Sequence, residues 1–337
     1  MRRKRFTFAL ICTLCSSMWL STVHAEKVSD FEMQTSATES ANSTFTVTLK
    51  GKDIQDLYAY EAKFNFDPKV LEIVKAETKI KGFSVSPIVK NSEITIAHTK
   101  IGNVNGDKGN LDIATITFKA KRAGTTAVKW TALKVLDRNL KDQEFTPNQS
   151  STFTKIFSDI VSHWAKQDIM EMVTKGIVEG MDADSFAPNN NITRAQFAAL
   201  IARALDLTEG SGSNPFTDVK SGVWYEDTVK KAYAAGIISG LSKTKFAPEK
   251  SITREEMTTM LMRANAYASG VKVESMVSDS TTTFKDDSKI SPWAKASVGF
   301  ALKSGLMKGR TQTTFAPKES ATRAESAAVI KRLLNSK

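Results

Sequence analysis

From Val28 to about Phe145, apolar and polar residues mostly alternate, in runs such as Phe45-Thr-Val-Thr-Leu49, Glu93-Ile-Thr-Ile-Ala97 and Ile113-Ala-Thr-Ile-Thr-Phe118. A period of two puts every second side chain on one face, so each run predicts a half-buried β-strand. Ala59-Tyr-Glu-Ala-Lys-Phe-Asn-Phe66 and Ala127-Val-Lys-Trp130 follow the same rule, and Gly, Asn, Asp and Pro bound the runs. Strands punctuated this way predict an all-β antiparallel sandwich over residues 26–148. Beyond Phe157 the period becomes helical: Trp164, Ile169, Met172 and Val173 space one apolar face, and Phe197, Leu200, Ile201 and Leu205 a second. The Ser- and Thr-rich stretch 149–155 between the two patterns is the expected linker.

The helical pattern is written three times. Phe157-Ser-Asp159, Phe216-Thr-Asp218 and Phe284-Lys-Asp286 each lead to a tryptophan, a glycine-containing turn, a Phe-Ala-Pro and a Thr-Arg-x-Gln/Glu. Trp164, Trp224 and Trp293 each precede a glycine by 16 positions (Gly180, Gly240, Gly309) and an arginine by 30 (Arg194, Arg254, Arg323). The spacing predicts helix-loop-helix modules at 156–209, 215–268 and 284–334, with 269–283 as a longer separator. A module of two short helices cannot bury both faces alone, so the three are expected to close into one all-α bundle of pseudo-threefold character.

Thr193-Arg-Ala-Gln196, Thr253-Arg-Glu-Glu256 and Thr322-Arg-Ala-Glu325 have the form of capping boxes, in which Thr accepts from the N3 amide and Gln or Glu reaches back to the N-cap amide. That accounts for every position except the arginine, which stands at the positive end of the helix dipole, where a cation is disfavoured by roughly 0.3 to 1 kcal/mol. Either Arg194, Arg254 and Arg323 pair with a structural carboxylate, such as Asp159, Asp218 or Asp286 of a neighbouring repeat, or they await an anionic ligand. Both can hold, because a guanidinium and helix-terminal amides together cradle a carboxylate. Trp164, Trp224 and Trp293 are either core anchors or platforms for the apolar face of a sugar ring. Gly180, Gly240 and Gly309 fit a left-handed turn or helix cap, or a ligand contact. The three aspartates fit helix caps or bonds to neighbouring loops.

Composition narrows the function. Arg2 to Arg5, an apolar run of 15 residues from Phe6 to Leu20, and Val23-His-Ala25 have the form of a secretory signal over 1–25. The run falls short of the roughly 20 residues that cross a bilayer, and no later apolar segment is longer, so no membrane span is expected. Both cysteines, Cys12 and Cys15, lie in that segment, leaving the mature chain without thiol chemistry. Removing the four cations of the signal lowers the formal charge from +11 to +7. That surplus suits solubility or an anionic polymer, and no basic stripe with interleaved aromatics points to nucleic acid. Only His98 and His163 remain after the signal, no Gly-x-Ser-x-Gly elbow is present, and Asn103-Val-Asn-Gly-Asp-Lys-Gly109 reads as a turn rather than a calcium loop. Neither a catalytic site, a metal nor a cofactor is therefore expected.

The residues from about Phe153 to Leu334 resemble S-layer homology modules: Phe-x-Asp-Ile/Val, a Trp, Gly-Ile/Leu-x-x-Gly, Phe-x-Pro and Ile-Thr-Arg-Ala-Glu recur in order. The resemblance implies non-covalent attachment of a Gram-positive surface protein to a secondary cell-wall polysaccharide carrying pyruvate ketals. Its carboxylates would meet Arg194, Arg254 and Arg323 in grooves between repeats, beside the tryptophans, glycines and aspartates named above. The copies depart from the signature at Gln196, Glu255 and Ala321. Asp56-Leu-Tyr-Ala-Tyr-Glu-Ala-Lys-Phe-Asn-Phe-Asp-Pro68, Val70-Leu-Glu-Ile-Val74 and Gly106 to Phe118 are similar to a cohesin, a sandwich that receives dockerins on polysaccharide-degrading enzymes. Together the resemblances imply a secreted, non-catalytic wall anchor displaying a dockerin-docking module, such as one for dockerin-bearing glycoside hydrolases. The alternative is a carbohydrate-binding or adhesive sandwich on the same anchor.

Overall fold

The computed structural model describes residues 30–208, 214–276 and 283–336. The expected signal segment, most of Gly210-Ser-Gly-Ser-Asn214 and part of the 269–283 separator lie outside the described residues.

Eleven strands form the amino-terminal half: β1 (Asp30–Thr35), β2 (Glu39–Ser40), β3 (Thr44–Leu57), β4 (Ala59–Asn65), β5 (Leu71–Glu77), β6 (Phe83–Lys90), β7 (Glu93–Thr99), β8 (Asp107–Ala120), β9 (Gly124–Leu136), β10 (Asp142–Phe145) and β11 (Gln149–Lys155). One sheet runs β1-β3-β8-β5, the other β2-β11-β9-β4-β7-β6 with β10 on β9. The alternation in sequence is the alternation in burial: β7 reads in and out residue by residue, with Ile94 and Ile96 inward. Phe45, Phe64, Phe118, Trp130 and Phe153 fill the space between the sheets, and Trp130 donates its Nε1–H to the Ala132 carbonyl at 2.9 Å. Packed aromatics of this size dominate the burial energy of such a core.

The expected linker is corrected. Residues 149–155 pair antiparallel with β9 from Gln149↔Trp130 to Lys155↔Gly124. Ser and Thr suit the solvent side of a strand as well as they suit a loop, and Phe153 supplies the inward side at 1% exposure. The chain then enters the helical half directly. Lys155 is fully buried, its ammonium donating to the Ala41 carbonyl at 2.7 Å and the Ile156 carbonyl at 2.9 Å while pairing with Asp184 at 2.8 Å. A buried ammonium is tolerated only when paired and hydrogen-bonded, so Lys155 ties the last strand to the first repeat.

Six α-helices follow: α1 (Lys166–Thr174), α2 (Arg194–Ala204), α3 (Glu226–Ala234), α4 (Arg254–Ser269), α5 (Pro292–Lys303) and α6 (Arg323–Asn335). α2, α4 and α6 each begin with a complete capping box. Just before those boxes the three copies meet. The Ile252 amide donates to the Ile192 carbonyl, the Ala321 amide to the Ile252 carbonyl, and the Ile192 amide to the Ala321 carbonyl, at 2.9 to 3.1 Å. Two residues on, Arg194, Arg254 and Arg323 bond in the opposite sense, their amides donating to the Lys250, Glu319 and Asn190 carbonyls. Each copy therefore bonds to both others. The apolar residues of all three copies make one continuous core, which Ala123 of the sandwich also joins.

Candidate functional site

Each repeat builds a strained loop and holds it with its own aspartate. Ala187, Ala247 and Ala316 of the Phe-Ala-Pro turns have φ of 56°, 57° and 60°, a left-handed conformation that costs a non-glycine residue of order 1 kcal/mol or more. Asp218 accepts from the Phe246 amide at 2.9 Å and the Ala247 amide at 2.8 Å. Asp286 does the same for Phe315 and Ala316, and Asp159 for Phe186 and Ala187. The aspartates do not cap the first helices; they clamp loops 27 to 30 residues further on. Burial alone would raise these carboxyl pKa values, but the amide donors outweigh it and leave all three below their ordinary value.

The clamped loop presents its phenylalanine carbonyl to the arginine of the preceding repeat. Arg194 donates Nε–H to the Phe246 carbonyl at 2.8 Å and Nη2–H to the Ser239 carbonyl at 3.0 Å. Arg254 reaches Phe315 and Lys308, and Arg323 reaches Phe186 and Glu179, all within 2.8 to 2.9 Å. Each guanidinium also lies over the ring of that phenylalanine, at 4.8, 5.0 and 4.5 Å. The carboxylate partner is the capping-box glutamate of the next repeat, not the Phe-x-Asp aspartate. Arg254 Nη1 meets Glu325 Oε1 at 2.6 Å while Oε2 caps Thr322, and Arg194 Nη1 stands 3.6 Å from Glu256. In the first repeat the box residue is Gln196, and Arg323 makes no ion pair among the described residues. Burial pushes all three guanidinium pKa values down from their ordinary value, which is too high for the charge to be lost.

Three equivalent clefts open around these arginines, each taking residues from all three repeats. The first, of about 180 Å³, is lined by Gly180, Gln196 and Arg203 of the first repeat, Arg323 of the third and Trp224 of the second. The second, of about 370 Å³, has Gly240, Glu256 and Arg263 with Arg194 and Trp293. The third, of about 390 Å³, has Gly309, Glu325 and Arg332 with Arg254 and Trp164. Trp164, Trp224 and Trp293 are 64, 60 and 58% exposed, so of the two alternatives the core anchor falls away: they stand at the starts of α1, α3 and α5, turned outward onto the cleft of a neighbour. A cleft with two guanidinium groups and an exposed indole can grip a carboxylate while the aromatic face covers a sugar ring.

The glycines are also corrected. Gly180, Gly240 and Gly309 are not left-handed; a Cβ on Gly240 would stand 2.2 Å from the Ser242 carbonyl oxygen and 2.6 Å from the Phe216 ring. They are small so that the cleft wall can fold against itself. The left-handed ends of α1, α3 and α5 are Gly176, Gly236 and Gly305, at φ 69°, 69° and 75°, and α4 ends on Gly270 at 65°. Arg203, Arg263 and Arg332 are site residues that the sequence reading missed, although each follows the capping-box arginine by nine positions in every copy. Glu255, out of register with the family signature, is buried and accepts from Ser291 at the start of α5 at 3.0 Å and from Lys318 at 2.6 Å.

Residues 156–198, 215–258 and 283–327 match the S-layer homology domain, and residues 32–152 match the cohesin domain. The chain is 44% identical over 190 residues to an amylopullulanase of Thermoanaerobacterium thermosulfurigenes, covering 56% of this chain and 10% of that protein. It is 32% identical over 177 residues to the surface-layer 125 kDa protein of Lysinibacillus sphaericus, covering 52% and 14%. This chain thus spans less than a fifth of the length of either relative, and the amylopullulanase's enzyme name belongs to other domains of that protein. A cohesin module from a Clostridium perfringens family 33 glycoside hydrolase aligns over 38% of this chain and 96% of its own, at 14% identity and a TM-score of 0.34. No helix among the described residues is long and apolar enough to cross a membrane.

Proposed function

Since the chain carries three S-layer homology domains behind a cohesin domain, we propose that it is a non-catalytic cell-surface protein of a Gram-positive-type bacterium. Its carboxy-terminal repeats form a pseudo-threefold bundle that holds a pyruvylated secondary cell-wall polysaccharide, while its sandwich receives dockerin-bearing polysaccharide-degrading enzymes. The observation that carries the anchoring half is the threefold recurrence of two arginines and an exposed tryptophan in clefts that need all three repeats. Arg194, Arg254 and Arg323, the second arginines and the tryptophans contact ligand; Gly180, Gly240 and Gly309 shape the wall, and Asp159, Asp218 and Asp286 position it. Three clefts on one rigid body gain by effective concentration, so moderate affinity in each gives durable attachment.

The sandwich has an apolar strip suited to a protein partner. Phe83, Val85, Ile88 and Val89 are 47 to 56% exposed on the edge strand β6. Such a strip is a ready docking face, and three of its four side chains are aliphatic and give a sugar ring little to stack on, which favours a dockerin over a soluble glycan. The test is retention of the full chain on purified Gram-positive walls before and after mild acid removal of pyruvate ketals. Retention lost with the ketals supports the anchor; retention that persists removes the pyruvate reading. A sandwich that captures soluble glycans but no dockerin would move the amino-terminal half to the carbohydrate-binding alternative.

A further inference from the structure

The three clefts are built from equivalent positions, so differences at those positions read as differences in charge. The residue before the wall glycine is Glu179, Ser239 and Lys308 in the three repeats, and the residue after it is Met181, Leu241 and Arg310. The first cleft is lined by Arg203 and Arg323 against Glu179, the second by Arg194 and Arg263 against Glu256. The third is lined by Arg254, Lys308, Arg310 and Arg332 against Glu325 alone.

The extra cations of the third cleft are placed to act on a ligand. Glu325 is shared between Arg254 at 2.6 Å and Arg310 at 2.9 Å and Glu319 also pairs with Arg310, so two carboxylates answer two guanidinium groups and leave Lys308 and Arg332 as the surplus cations. Arg310 is further held by Glu319 and the Ser320 carbonyl, which fixes it at the lip where Met181 and Leu241 stand exposed in the other repeats. Lys308 is exposed, and its ammonium pairs with no carboxylate among the described residues. Arg332 is occupied by one carbonyl, that of Leu306 at 3.3 Å. A concave site lined by one sign of charge focuses the field and concentrates counter-charged ligands.

We infer that the three clefts are unequal and that the third is the dominant anion-binding and salt-sensitive one, with Lys308 and Arg310 as the residues that make it so. This rests on the reading that the clefts take an acidic sugar. The first and second clefts, with an apolar lip, then serve the less charged stretches of the same polymer. Ala321, which replaces the isoleucine of the other copies at the junction, lies behind the cleft in the core and leaves its charged rim intact.

The experiment is calorimetric titration of the full chain with a methyl glycoside carrying a pyruvate ketal, at low and moderate salt, beside retention on purified walls. Lys308→Ser and Arg310→Leu copy residues that the second repeat already holds, so both should fold; thermal melting checks this. Each is expected to weaken the tightest site roughly tenfold, equivalent to about 1.4 kcal/mol, and to flatten its salt dependence, while Leu241→Arg strengthens a second site. If the tightest site instead follows Arg203→Ala, the first cleft with its unpaired Arg323 is dominant and the inference is overturned with wall anchoring intact. Equal losses across all three clefts overturn it too. A wild-type chain that is retained on walls yet ignores the ketal glycoside sinks the pyruvyl reading and this ranking together.

Discussion

Arg254→Ala separates the structural from the ligand-binding part of the repeated arginine. The side chain is 3% exposed and makes charge-assisted bonds to the Phe315 and Lys308 carbonyls, both at 2.8 Å, besides its ion pair with Glu325. Truncation leaves two carbonyls and part of a buried carboxylate without a donor. Charged hydrogen bonds contribute about 1.5 to 3 kcal/mol each, and breaking a buried pair costs about 3 to 5 kcal/mol. These do not add, and Arg310 stays on Glu325 at 2.9 Å, so the expected loss is about 3 to 5 kcal/mol in all. Arg323→Ala removes two carbonyl bonds but no ion pair, from a half-buried site, and should cost about half as much. The assay is urea unfolding of the full chain followed by circular dichroism at the helix minimum, which reports the carboxy-terminal half. At roughly 2 to 4 °C per kcal/mol for a unit of this size, Arg254→Ala should also melt about 10 °C early. A loss under about 1 kcal/mol, or equal losses at the two arginines, would refute the clamp.

Gly240→Ala should cost about 3 kcal/mol or unfold the second repeat, because the added methyl meets two carbonyl oxygens and the Phe216 ring; urea midpoints at matched slope decide. Trp224→Ala should leave the melting temperature within a degree or two, as befits a side chain 60% exposed, yet lower retention on walls; a large early melt would return the indole to the core. The pH dependence follows from Asp159, Asp218 and Asp286, whose folded pKa values lie below the ordinary 3.8. A depressed carboxyl stabilises fully above its unfolded pKa, and that stability is lost as pH falls through the folded value. Helical stability should therefore be flat from neutrality down to about pH 5 and fall steeply below about pH 4; a titration in which Asp218→Asn falls as steeply as wild type would remove this cause. Ending the sandwich before β11 should yield an aggregating product, since Phe153 leaves its core and β9 gains a bare edge; a monodisperse, cooperatively melting 30–148 fragment would contradict it.

What was legible in the sequence is what local chemistry decides. Strand alternation and the capping boxes depend on neighbours within a few residues, and β7 and the boxes of α2, α4 and α6 appear where the letters put them. What escaped depends on partners far along the chain. The arginine's carboxylate is a capping residue 71 positions away, and nothing local distinguishes it from the aspartates. The tryptophans stayed open between core and surface because an aromatic at the start of a helix is apolar in any pattern, whereas its exposure is set by where the next repeat ends. The second arginines are legible too, since their fixed offset of nine in three copies is as regular as the offsets of the tryptophans and glycines. Gln149–Lys155 has the polar composition of a loop, but its burial alternates along Ser-Thr-Phe-Thr-Lys as a strand does, a signal that composition alone hides.

The ring of bonds among Ile192, Ile252 and Ala321 has a topological corollary. An open stack of repeats grows by addition and needs special ends to blunt it, but a cycle in which each copy donates to one neighbour and accepts from the other has neither first nor last member. Such an array admits no fourth copy and tolerates no two, so duplicating or deleting a repeat should be lethal to the whole rather than graded. Evolution could vary the surface of each copy freely, but the copy number only by replicating the entire triplet.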